Sequence, residues 1–327
     1  MSINLEKGSK SYKRLTILAT LFVVVGFCGC AVQPSLGEEE SALITVVATR
    51  DFGREVLFQE LVEVRGGSNA MDALKHVAEV ETAYGGGFVN AIAGLCSEFS
   101  QGQSTARDWF LYVNGILSDT GALDYTLRNG DVEHWDFRSW RFNRFVPAII
   151  GDFPEPFLHG FRGIVYPTFV VYEDGLEDEA ESIADKLGEF GVESVATKNI
   201  SELSQDEKES SNLLILATMD CPLIAELNRI WNRLGFYARF EDGSIQTVNA
   251  NGEAAATYGT ASGLIQATKN PWNPEGIGVC GNAVWMITGT DRAGVKNAVA
   301  ALTRRHAEFK HAYAAAVTAE GIIRIPQ

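Results

Sequence analysis

Three short segments of this chain set aromatic rings among glycines, and these residue types could do chemistry together. The first is Tyr84-Gly85-Gly86-Gly87-Phe88-Val89. The second is Asp108-Trp109-Phe110-Leu111-Tyr112-Val113-Asn114-Gly115. The third is Asn129-Gly130-Asp131-Val132-Glu133-His134-Trp135. A loop glycine lets backbone come close to a ligand. Aromatic walls beside backbone amides suit a large, flat, mostly apolar molecule. The expected chemistry is therefore binding, with Tyr84, Gly86, Gly87, Phe88, Trp109, Tyr112, Asn114 and Trp135 as candidate contacts. The competing account makes Trp109, Tyr112 and Trp135 plain core, as most strand aromatics are.

Other constellations point less clearly to chemistry. The histidines are His76, His134, His159, His306 and His311. None pairs at metalloprotease spacing, and the linear order shows no His/Cys/carboxylate cluster. His306 and His311 share an expected helix with Arg304, Arg305 and Lys310, so solvent is their expected surrounding. No Gly-x-Ser-x-Gly elbow is present. Gly276-Ile277-Gly278-Val279-Cys280-Gly281 has the dinucleotide-binding letters but follows a Pro/Asn loop and precedes a strand. Pyrophosphate binding needs the reverse context, so this string reads as a surface loop. Thr288-Gly289-Thr290-Asp291 does join a strand to a helix, and there Asp291 is expected to cap the helix rather than leave its amides for an anion. The chain is not expected to be an enzyme, and no cofactor or metal is required.

Composition bounds the setting. The chain has 327 residues, 46% of them hydrophobic, and a formal net charge of −15. That is enough for about two domains with real cores. Its acidity repels phosphate backbones, which disfavours nucleic acid. The amino-terminal end is the exception, with Lys7, Lys10, Lys13 and Arg14 against Glu6. An apolar run from Leu15 to Gly26 follows, then Phe27-Cys28-Gly29-Cys30. A basic region, a short apolar core and a small residue before cysteine make residues 1–29 a lipoprotein signal peptide. Cleavage after Gly29 would leave Cys30 as the lipid attachment site, with residues 30–41 as a tether. The run is short for a membrane span. The protein is expected outside the cytoplasmic membrane, anchored to it by lipid (palmitate among the acyl groups). An oxidising compartment would permit a Cys221–Cys280 bridge, which sequence cannot establish.

The elements that must position the three segments follow from periodicity. Residues 42–48 and 55–64 read as a strand pair around Asp51-Phe52-Gly53-Arg54. Ser68 or Asn69 caps a helix with Ala70, Ala73, Leu74 and Val77 at helical spacing. Short strands follow near 82–84 and 88–94, then strands at 108–113 and 131–137, with Asn114-Gly115 as a hairpin turn. The polar stretch 97–105 reads as a loop. Residues 139–162, aromatic and proline-punctuated, read as a linker that packs down. From 163 to 327 strands and helices alternate, which argues for a three-layer α/β domain. Helices are expected at 176–190, at 221–234, and from Asp291 through Phe309 and Tyr313.

Four stretches together resemble one family. They are Ser68-Asn69-Ala70-Met71-Asp72-Ala73-Leu74, Tyr84 to Gly94, Trp109 to Gly115, and Asn129-Gly130-Asp131 with Trp135. Their order and spacing are similar to the transcobalamin-like carboxy-terminal domain, a soluble ligand-binding β-grasp unit. The resemblance covers about residues 43–138, within an expected domain of 42–138. It implies a β-grasp fold and cobalamin or another corrinoid-like ligand. The helical barrel that faces this domain in the animal carriers has no counterpart here. A fainter resemblance links Gly263-Leu264-Ile265-Gln266, Asn270-Pro271-Trp272-Asn273 and Ile287 to Val295 with S-layer-type surface-protein modules.

The expected architecture is thus an amino-terminal α+β, β-grasp-like domain followed by an α/β domain. The expected function is a lipid-anchored extracytoplasmic binding protein, with a transporter or surface-layer protein as partner. The alternative is a cell-envelope structural or adhesion protein that uses the β-grasp unit for interaction. An extracytoplasmic hydrolase ranks third.

Overall fold

The computed structural model describes residues 41–98 and 106–327. The signal peptide, Cys30, nearly all of the tether and most of the loop at 97–105 lie outside the described residues.

The first sheet starts from a long hairpin. Strand β1 (Ser41–Arg50) pairs antiparallel with β2 (Glu55–Arg65). Helix α1 (Ala70–Val77) follows, closed at its start by a reciprocal Asn69–Asp72 capping box. It buries Ala70, Met71, Ala73 and Leu74. Strands β3 (Val80–Ala83), β4 (Phe88–Ile92) and β5 (Leu95–Cys96) form a small separate sheet. Strand β6 (Arg107–Val113) turns through Asn114 and Gly115, both at positive φ, into β7 (Ile116–Leu117). The Tyr112–Leu117 and Val113–Ile116 pairing is the register that a two-residue Asn-Gly turn sets. Strand β8 (Val132–Ser139) runs between β1, to which it is parallel, and β6, to which it is antiparallel. The sheet order is β2-β1-β8-β6-β7.

The second half builds a seven-stranded sheet. Its parallel part holds β9 (Thr168–Tyr172), β10 (Val195–Asn199), β11 (Asn212–Thr218) and β16 (Ala283–Gly289). Strands β15 (Gly263–Lys269), β17 (Ala314–Thr318) and β18 (Gly321–Ile325) extend it antiparallel. Helices α2 (Glu177–Glu189) and α5 (Arg292–Arg305) cover one face, packing Ile183, Leu187, Val295 and Leu302 against Leu214, Leu216 and Ile287. Helix α4 (Pro222–Arg229) lies on the other face, where Ile224 and Leu227 share a core with Leu213, Ile215 and Met286. A third sheet of β12 (Ala238–Glu241), β13 (Ser244–Val248) and β14 (Ala254–Tyr258) joins that core. The fold is mixed α+β, mostly strands in several sheets. The described residues, 41–98 and 106–327, fall in one compact unit. Among the described residues no helix is long and apolar enough to cross a membrane.

Several expectations change. The last helix stops at Arg305, a short 3-10 turn covers His306–Phe309, and His311 takes φ +65°. Phe309 and Tyr313 are buried as their spacing implied, but from a chain that has turned off the helix axis. The helix expected over 221–234 ends at Arg229 and gives way to a 3-10 turn. The connection between β10 and β11 carries helix α3 (Gln205–Ser210), started by a Ser204–Glu207 capping box. Asp291 does cap α5, accepting from the Gly294 amide at 2.9 Å and from Ala261 at 2.8 Å. Cys221 and Cys280 are buried free thiols, not a bridge. Burial pushes the Cys280 thiol up to about 11, so it stays protonated at neutral pH.

Candidate functional site

The expected aromatic contacts do not form one face. Trp109 and Tyr112 are three residues apart on a strand, so they point to opposite sides of the sheet. Trp109 lies beneath the α1 side, packed on Phe137 at 5.3 Å, with its indole N–H donated to the Leu95 carbonyl at 2.9 Å. Trp135 is buried on the same side and donates to Glu133 Oε1 at 2.6 Å. Tyr112 is wholly buried on the other side and donates to the Val146 carbonyl. Asn114 is buried too, donating to Asp131 Oδ1 and the Gly160 carbonyl and accepting from the Val132 amide, each at 2.8 Å. These four residues hold the fold together, because each ring or amide is already enclosed and partnered. Tyr84, 82% exposed, and Phe88 remain open, with rings edge-to-face at 6.1 Å beside Gly86 and Gly87. The set thus divides into a buried structural part and a small exposed edge.

The side of the sheet away from α1 is different in kind. Strand β8 alternates Trp135 and Phe137 toward α1 with His134, Asp136 and Arg138 toward the second half. All five are buried, the charged three at 0% exposure. Burying charge is costly unless it is paired, and here the pairing is extensive. Thr49 Oγ1 donates to Asp136 Oδ1 at 2.7 Å, and Tyr313 donates to Asp136 Oδ2 at 2.8 Å. Arg138 donates to the carbonyls of Asn143 and Arg144 and lies 3.7 Å over the Phe110 ring. Tyr313 comes from the far end of the chain, so this network ties the two halves together.

His134 sits at the centre. Its Nε2 is 2.9 Å from Thr49 Oγ1, whose one proton goes to Asp136. Thr49 must therefore accept, so His134 carries its proton on Nε2. Nδ1 then faces the Asp152 carboxylate, at 3.0 and 3.2 Å from its two oxygens. Burial alone would lower the His134 pKa; the charge and hydrogen bond of Asp152 outweigh it and raise the value.

His311 completes the group. Its ring stands edge-to-face with His134 at 5.2 Å. The residue is 5% exposed and its Nδ1 has no hydrogen-bond partner. Burial and the neighbouring His134 charge push its pKa down to about 4, so the ring is neutral and keeps a lone pair. Two glycines set its position. A Cβ on Gly53 or on Gly151 would collide with the His311 backbone, at 1.7 and 2.3 Å respectively, and the His311 amide donates to the Gly151 carbonyl. The nearest ligand-type atoms of His134, Asp152 and His311 all lie within 4.8 Å of one another.

A pocket of about 370 Å³ opens beside this group. Val47, Phe153, Pro154 and Phe190 supply apolar wall, while Asp152, Lys310 and His311 supply polar atoms. Sequence reasoning missed the group and placed His311 on an exposed helix. One local signal was present: His134, Asp136 and Arg138 recur at period two on a strand, but such a run reads equally well as a solvated face. Asp152 and His311 arrive from loops distant in sequence.

A family model described as a domain of unknown function, DUF4430, matches residues 67–139. Among solved structures the chain is similar to haptocorrin in complex with Cbi, with 19% identity and a TM-score of 0.26. That alignment covers 31% of this chain and 26% of haptocorrin. The chain is also similar to a proposed metal binding protein from Ruminococcus gnavus ATCC 29149, with 15% identity and a TM-score of 0.24, over 30% of this chain and 97% of that one. No curated protein matches. These likenesses are distant, and the family match is confined to one segment, from just before α1 to the end of β8.

Proposed function

We infer that this chain is an extracytoplasmic binding protein, lipid-anchored through Cys30, that takes a compact small-molecule ligand in the pocket between the first sheet and the second half. The observation that carries this reading is the pocket itself: apolar walls around a few convergent polar groups, one of them an imidazole with an unused nitrogen. Binding sites typically have that composition. The mixed sheet with one helix on its face supports a β-grasp reading of residues 42–138, followed by an α/β unit over 163–327.

A corrinoid is the ligand class the sequence resemblance implies. Its support is the open Tyr84–Phe88 edge, since the other expected rings are enclosed. Titration with cobinamide, cobalamin and a fragment library, read by melting temperature, tests the reading. A ligand-dependent rise that Phe153→Ala abolishes supports the pocket. A rise that only Tyr84→Ala abolishes moves the site to the exposed edge. No rise with any compound overturns the small-molecule reading.

The envelope-module alternative has its own support. Leu43, Val56, Leu57 and Leu61 are all exposed on β1 and the edge strand β2, Leu61 at 67%. An exposed apolar edge strand is a surface for pairing with another chain. Self-association lost on Leu61→Lys would favour that role.

A further inference from the structure

We propose that His134, Asp152 and His311 form a binding site for one divalent first-row transition ion of the zinc class. This goes beyond the small-molecule reading and stands without it. Four observations meet at one place. Two imidazoles and a carboxylate form the donor set that borderline ions prefer. Their ligand atoms lie within 4.8 Å of one another, and His134 Nδ1 and Asp152 are already 3.0 Å apart. Ligand atoms around a tetrahedral ion with bonds of about 2.0–2.1 Å sit about 3.3 Å apart, so closing the set needs only a modest shift of the His311 ring. The third observation is His311 Nδ1, buried and unpartnered, a polar atom whose desolvation is otherwise uncompensated.

The fourth lies behind the ligands. Thr49 accepts the Nε2 proton of His134 and hands its own to Asp136, which also accepts from Tyr313. An oxygen acceptor on the far nitrogen is how metal-binding histidines are oriented, leaving the other nitrogen for the ion. Thr49 and Asp136 are thus positioning residues. Asp152 and His311 line the pocket, which gives the ion a way in and leaves a coordination position open for water or a pocket ligand. On binding, the ion replaces whatever proton His134 Nδ1 shares with Asp152, and that proton leaves to buffer.

The test is titration of the detergent-solubilised full chain, stripped with chelator, with Zn²⁺ by calorimetry and Co²⁺ by absorption. Expected are one ion per chain and an intense Co²⁺ ligand-field band of low symmetry. His311→Asn should weaken binding at least tenfold; asparagine tolerates the positive φ, so folding is retained. Asp152→Asn should weaken it comparably. If either variant fails to fold, histidine ring signals in the wild-type NMR spectrum decide: His134 and His311 must be the two that shift with Zn²⁺. Absence of stoichiometric binding, or unchanged affinity in a folded His311→Asn, overturns the proposal. Stoichiometric Zn²⁺ binding in a chain whose melting temperature no compound raises would leave this proposal intact and sink only the earlier reading.

Discussion

The two faces of the first sheet share the same strands but do different work. Toward α1, Ile44, Val46, Trp109, Leu111, Trp135 and Phe137 make an apolar layer. Away from it, Thr49, Tyr112, His134, Asp136 and Arg138 make a polar layer covered by residues from the second half. The apolar layer gains from area removed from water and is indifferent to pattern beyond size and shape. The polar layer gains little net stability, because desolvation offsets most of its pairing energy. It instead fixes which groups meet, and it ends at a pocket. Stability is therefore expected to reside mostly on one side of the sheet and function on the other.

The largest effect should come from Phe137→Ala. It removes a ring at 2% exposure that packs on Trp109, and a loss of ~3–5 kcal/mol in denaturant unfolding is expected, with ion stoichiometry unchanged in the folded fraction. Tyr313→Phe on the opposite side should cost less, about 1–3 kcal/mol, by leaving Asp136 short of one donor. Equal losses would mean that the two faces do not differ in the way described.

Glu133 sharpens the comparison through pH. It is a carboxyl at 0% exposure on the apolar side, with Oε2 unpartnered. Burial holds its pKa well above the usual carboxylate value, against the opposing pull of the Trp135 hydrogen bond. The folded value exceeds the unfolded one, so its contribution is fully present below about pH 4.5 and is lost as pH rises. Glu133→Gln keeps an acceptor for Trp135 and cannot ionise. Its urea midpoint should match the wild type at about pH 4 and exceed it increasingly toward pH 8. The smallest effect belongs to Tyr84→Ala at the exposed edge, expected within ~0.5 kcal/mol of wild type.

Much of the framework was legible beforehand, for local reasons. The Asn114-Gly115 turn fixed a hairpin register, Asn69 fixed a helix start, β-branched content marked β1, apolar alternation marked β2, and aromatic residues marked β6 and β8. The candidate contacts failed where periodicity says only that two faces exist, not what covers them. Trp109 is enclosed on the α1 side and Tyr112 beneath the second half, so neither ring is left open to a ligand. His311 was misplaced because Phe309 and Tyr313 continue the helical spacing past the true end of α5, with no glycine or proline to mark the stop. The His134–Asp152–His311 group is a product of tertiary packing, assembled from a strand and two loops, and no local pattern encodes it.

Anomalous diffraction from crystals grown with Zn²⁺ tests the central claim most directly. The account predicts a single strong peak within bonding distance of His134 Nδ1, an Asp152 oxygen and a His311 ring nitrogen, at the floor of the pocket. A well-ordered peak at other residues, or none at that floor under saturating Zn²⁺, would contradict it.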